Sequence, residues 1–409
     1  MSMSKTLIYG VIALIIVIIA AAVTFLLNPP TSDENVKGDD SGFFSSLFPF
    51  NFGANNGSVE TPLFEGEGGG QGEQAAPRLR QVSVSPVSGA YLFDKDGKTF
   101  IRFIDRATGH VYETAAESTG VKRITNTTVP GIQEVLWANE NQFLVRYLSG
   151  DSIETFYVSL DKNTEAEQSL NGSFVESFLR GTLDPEGGSL FAVFNTTQGA
   201  NLVVSDVSGG NARTVLSSAI KSWVPLQSDN GLFIYTAPLS SSPGFLYQVS
   251  NGTFTKILGD VPGLMARVHP YGSHILISSG GTDSVDLSLF ETETGRSFSS
   301  PLGTFADKCA FDRNDSVSAY CAVPHGTVQD ALDNWLLGTA SFSDALWHID
   351  FEFGTAEFIL EPEDAAGVEM DMYHLSISPD GQYLLFMNKN DLSLWSLRLQ
   401  ETASSTNTN

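Results

Sequence analysis

Along residues 88–399 an apolar run, a polar turn and a second apolar run recur seven times, which makes this chain a repeat protein. The turns align on Asp96-Gly97, Glu140-Asn141, Glu186-Gly187, Asp229-Asn230, Tyr271-Gly272, Asn314-Asp315 and Asp380-Gly381, at steps of 44, 46, 43, 42, 43 and 66 residues. That period is the size of a four-stranded propeller blade. Strand formers stand among 38 Gly and many Ser and Asn, while helical periodicity is nearly missing after residue 30. The expected fold is all-β, a seven-bladed β-propeller over residues 79–400. A unit hidden in the irregular stretch 161–175 would make eight blades, and a merged one six.

The repeats also predict how the ring closes. In the last unit, 382–387 reads as an inner strand, and 392–399 alternates strictly between apolar and polar, so one of its faces is buried. Equivalent third strands are expected at 153–160, 202–207, 245–249, 285–290 and 346–351, with their apolar positions filling the space between neighbouring blades. The last unit runs into the polar tail 401–409 without a fourth strand, whereas 81–85 is a spare strand ahead of the first unit. Pairing the two would close the ring and remove the exposed edges of an open array.

At residues 377–386 the sequence Ile-Ser-Pro-Asp-Gly-Gln-Tyr-Leu-Leu-Phe resembles the WD40-like repeat of TolB-type propellers, a strand, Ser-Pro-Asp-Gly and another strand. Weaker echoes are Asp184-Pro185-Glu186-Gly187 and His269-Pro270-Tyr271-Gly272, and the Gly-His and Trp-Asp dipeptides of WD40 units do not recur in series. The resemblance implies a binding or scaffolding platform whose repeat motif shapes turns and carries no chemistry.

Ahead of the ring, the run from Leu7 to Leu27 holds no charged residue. At about 1.5 Å per residue it reaches about 30 Å, the thickness of a bilayer's hydrocarbon core. Residues 1–28 are expected to be a transmembrane signal anchor. Ala20-Ala21-Ala22 could serve as a cleavage site, but the apolar run continues beyond it, as in an uncleaved anchor. Lys5 precedes the span and Asp33, Glu34, Asp39 and Asp40 follow it, which predicts a cytoplasmic N-terminus and an extracytoplasmic propeller in the cell membrane. Residues 29–78, rich in Gly, Asn and Phe, read as a flexible linker. Its five Phe between 43 and 52 could lie on the bilayer, grip a partner or be a low-complexity spacer. A formal charge of −25 repels phosphate backbones, so nucleic-acid binding is not expected.

No residue set announces chemistry. The six His form no metal-ligand pair, and neither a Gly-x-Ser-x-Gly elbow nor a phosphate-binding Gly-Lys loop is present. Asp94-Lys95-Asp96-Gly97 begins like a calcium loop but lacks the later ligands. No catalytic, cofactor-binding or metal-ligating residue is therefore assigned, and no cofactor is expected. The Asn-x-Ser/Thr tripeptides at Asn126, Asn171, Asn195, Asn251 and Asn314 match chance in so polar a chain.

Two features do stand out. Cys309 and Cys321 lie six residues either side of Asp315, so a hairpin there sets them opposite each other, either as a disulfide or as two buried thiols. Residues 324–344 form an insertion in the sixth unit. There Val328, Leu332 and Trp335 share one face of a short helix, with Leu336 beside them. That stripe either caps the ring's own face or docks a partner. The reading that results is a membrane-anchored, extracytoplasmic propeller that binds an envelope protein or surface polymer. The rivals are a hydrolase- or lyase-like enzyme with its site at the central channel, and a purely structural surface protein.

Overall fold

The structure, a computed structural model, describes residues 75–160, 170–280, 284–326 and 331–399. They form seven four-stranded antiparallel sheets arranged as the blades of a propeller. The inner strands are Val87–Lys95, Ile132–Asn139, Arg180–Leu183, Trp223–Ser228, Met265–Val268, Cys309–Phe311 and Met372–Ile377, for blades one to seven. All seven turns recognised in the sequence join the first strand of a blade to the second. In the last unit the strand after the turn, Tyr383–Asn388, is therefore second from the axis, not innermost as expected. Residues 170–175 are the outer strand of blade two, not part of an eighth unit.

Closure uses the spare strand, shifted two residues earlier than expected. Leu79–Ser83 pairs antiparallel with Leu394–Arg398 as the outermost strand of blade seven. Val82 is buried, together with Val87, Ile101, Leu385 and Leu394, in one cluster between blades seven and one. Each of the other six blade interfaces likewise holds one apolar cluster. Between blades one and two, for example, Ile104 and Val111 meet Val135, Phe143 and Val158. Period-2 alternation puts each sheet's apolar faces into these seams. Three outer strands add an edge-on ring contact to the third strand: Phe156–Phe174 at 5.0 Å, Tyr247–Phe254 at 4.8 Å and Trp347–Phe358 at 5.4 Å.

The Ser-Pro-Asp-Gly turn shows what the repeat motif does. Ser378 Oγ donates to Asp380 Oδ1 at 2.5 Å and accepts from Tyr383 N at 2.9 Å, which fixes the turn. Asp380 Oδ2 accepts from Thr99 Oγ1 of blade one at 3.1 Å. Gly381 has φ 73°, and a Cβ there would stand 2.9 Å from Asn314 Nδ2 of blade six. One turn thus touches both neighbouring blades, and glycine takes its positive φ without the strain an L side chain would bring.

The expected anchor (1–28), the linker to 74 and the tail 401–409 lie outside the described residues. Among the described residues no helix is long and apolar enough to cross a membrane.

Candidate functional site

The insertion is held at one rim of the ring. Its helix, Ala331–Leu336, buries Leu332 and Trp335 against the blades and leaves Leu336 at 42% and the following Leu337 at 76% exposure. Val328 lies outside the described residues. Leu332 packs where blade five is bare. A Cβ on Gly263, φ 60°, would meet Gly280 O at 2.3 Å and Leu332 Cδ2 at 2.6 Å. Asp333 accepts from Ser240 Oγ at 2.6 Å and from Ser240 N at 3.0 Å, which pins the helix to blade four. Trp335 stacks on Phe305 at 5.3 Å, and its Nε1 donates to Asp371 Oδ1 and Oδ2 at 3.1 and 3.0 Å. Lys389 of blade seven places its ammonium 4.1 Å from the Trp335 ring centre and donates to Trp335 O.

Under Trp335 sits a fully buried ion cluster. Lys308 Nζ donates to Asp344 Oδ2 at 2.7 Å, Asp371 Oδ1 at 2.5 Å and Met372 O at 3.1 Å, all three ionisable side chains having no solvent access. One cation faces two carboxylates, and Asp344 Oδ1 has no hydrogen-bond partner. Burial first, and then the charge of Asp371, push the Asp344 carboxyl up to about 6 against the pull of Lys308. The cluster joins the inner strands of blades six and seven to the insertion, which makes it the foundation of the rim.

Inside the rim lies the central channel, a cavity of about 690 Å³ whose lining includes Glu134, Arg267, Asp307, His374 and Lys389, with Trp335 and Leu336 at its mouth. Arg267, Asp307 and His374 come from blades five to seven and the segments that join them. Arg267 of blade five donates to Leu375 O of blade seven at 2.7 Å. His374 holds φ 53° at a bulge in the inner strand of blade seven, where the register shifts between Tyr373 and Ser376. A bulky residue in the left-handed region is a strained conformation of the kind found at functional sites. Glu134 is paired with Arg146, which also donates to Phe178 O at 2.7 Å.

The channel is enclosed by protein yet reached by water, His374 being exposed and Arg267 and Asp307 half-buried. Its desolvation is that of a wet pore, milder than that of a dry core. Burial raises Asp307 above the usual carboxylate range, against Arg267, His374 and Arg180. It lowers His374, whose imidazole is neutral near pH 7, against the opposing charges of Asp307 and Glu134. Burial also lowers Arg267, opposed by Asp307. At the opposite mouth a smaller pocket of about 160 Å³ is lined by His269, Phe311 and Arg313 among others. Among the described residues no three of His, Cys, Asp and Glu are grouped to hold a metal ion.

Cys309 and Cys321 face each other in the blade-six hairpin and are joined by a disulfide, with Cα atoms 4.1 Å apart. Reading the sequence does not single out the channel residues or the ion cluster, because each blade contributes only one or two of them. A signal is nevertheless present. Asp307-Lys308 interrupts the apolar run from Phe305 to Phe311, and Arg267 interrupts the run from Leu264 to Val268, where a solvated face would have no reason to place a charge.

No protein-family model matches the sequence, and no characterised protein matches it. Solved structures do share its shape. They include the GH74 enzyme of Niastella koreensis (TM-score 0.51, 13% identity, over 77% of this chain and 53% of that one). YCF48 bound to D1 peptide aligns at TM-score 0.50 and 12% identity, over 80% of this chain and 99% of that one. TolB from Acinetobacter baumannii aligns at TM-score 0.41 and 9% identity, over 75% of this chain and 64% of that one. The chain thus spans about half of the Niastella enzyme and just under two thirds of TolB. Likenesses at such identities concern the fold alone: this chain is an all-β, seven-bladed propeller.

Proposed function

We propose that the chain is a membrane-tethered, extracytoplasmic propeller that binds another envelope protein noncovalently at the rim carrying the insertion. The observation that carries this reading is the exposure of Leu336 and Leu337 beside a helix fixed to blades four, five and seven. A rigid apolar projection beside a channel mouth loses little conformational entropy when a partner covers it. The uncharged run from Leu7 to Leu27 supplies the tether. The Cys309–Cys321 disulfide suits an oxidising compartment outside the cytoplasm. A surface polymer is the alternative occupant of the rim.

Removing residues 324–344 would be a poor test, because it takes away Asp344, the partner of Lys308. A cleaner test places a photo-crosslinking residue at position 337, which is exposed in the structure. Crosslinking in intact cells should give one dominant partner band, and Leu336→Asp should abolish it while the melting temperature stays unchanged. A band that survives Leu336→Asp, or no band from either chain, would reject the rim as a docking site.

A second reading, a hydrolase- or lyase-like site in the channel, is favoured by Glu134, Asp307 and His374 lining one cavity. It predicts turnover of a peptide or an acidic oligosaccharide by the purified chain, lost in His374→Ala.

A further inference from the structure

The channel holds more positive charge than the rest of the molecule would suggest. The chain carries 22 basic against 47 acidic residues, yet Arg267, His374 and Lys389 line the cavity with Asp307, and Arg180, next to the lining residue Gly181, is close enough to Asp307 to act on it electrostatically. Glu134 is neutralised by Arg146. Lys389 donates to Trp335 O and lies over its ring, and neither contact cancels its charge. With His374 neutral, Arg180, Arg267 and Lys389 face the one carboxylate of Asp307, an excess of two positive charges. Among the described residues the side chains of Arg180, Asp307 and His374 make no hydrogen bond, and Arg267 uses one donor on Leu375 O. These groups therefore have hydrogen-bonding capacity left for a ligand.

We infer that the channel receives the free C-terminal carboxylate of a partner polypeptide, paired by Arg267 and Arg180, with Asp307 accepting from the last peptide N–H. The carboxylate offsets part of that excess, and guanidinium groups offer it paired donors in a fixed fork. The cavity of about 690 Å³ falls within the range of roughly 300–1,000 Å³ typical of sites that enclose a ligand. Its walls include the aliphatic Val135, Leu136, Val224 and Leu226, which suit apolar peptide side chains better than a polyhydroxylated sugar. A closed ring also admits the end of a chain more readily than its middle, which would have to enter doubled back. The inference rests on the proposed protein-binding role for the kind of partner, but it concerns a different set of residues from the rim.

The test uses the purified chain and an N-terminally labelled pool of tetrapeptides randomised at the last three positions, as free acids and as C-terminal amides, read by fluorescence polarisation. The free acids should bind roughly tenfold or more tightly than the amides, and Arg180→Met and Arg267→Met should each remove that preference. Arg180→Met is the safer variant, since Arg267 also supports the backbone of blade seven. Equal affinity for acids and amides, or no binding of either, overturns the inference. Competition by acetate as effective as by peptide assigns the site to small anions and overturns it too. Arg180→Met should leave the rim crosslink through position 337 intact while removing the preference for free acids, so failure of the channel and failure of the rim give different results.

Discussion

The seam between blades seven and one and the clasp around blade six solve the same problem, holding neighbouring sheets together, with opposite materials. The seam is apolar: Val82, Val87, Leu385 and Leu394 pack between two sheets that the chain links by lending Leu79–Ser83 to blade seven before it enters blade one. The clasp is charged, with Lys308 between Asp344 and Asp371 and Trp335 laid over them. Apolar contacts are non-directional and can relax around a lost methyl group, whereas a buried ion cluster depends on every partner being present. The seam should therefore yield gradually and the clasp abruptly.

The largest expected effect breaks the clasp. Lys308→Met leaves two buried carboxylates facing each other and should cost about 3–5 kcal/mol in denaturant unfolding, much of it recovered when Asp344→Asn is added. A loss below about 1 kcal/mol would mean the cluster is already neutral or hydrated. The seam should respond less. Leu394→Ala removes a fully buried side chain and should cost about 2–3 kcal/mol, with the circular-dichroism spectrum unchanged.

The smallest effect separates the two regions by pH. Asp344 is raised from 3.8 to about 6 in the folded chain, so between those values the folded state holds a proton that the unfolded state has released. The stability from this group is fully present below about 3.8 and is lost as pH rises through about 6. Asp206 and Asp312, both lowered on folding, act in the opposite direction as pH falls. Stability measured across that window should therefore show a component that falls with rising pH and disappears in Asp344→Asn. The seam variant should keep it.

The difference between the two regions also explains what can be read in advance. Turn positions, third strands and the closing strand follow from alternation and spacing, so the closing strand at 79–83 is legible to within two residues. The insertion is legible as an interruption of the period, and Leu332 and Trp335 as one helix face, although only the structure shows that this face turns inward. The channel is not legible as a site. Arg267 and Leu375 are 108 residues apart, and Lys308 and Asp371 are 63 apart.

The sequence by itself determined the repeat, the two-faced strands and the means of closing the ring, because side-chain alternation and turn geometry are properties of neighbouring residues. Only the tertiary structure decided which isolated charges meet, since closing seven blades around an axis brings together groups from different blades. Whether such a charge is a solvated surface group, a buried foundation or the wall of a channel depends on that closure.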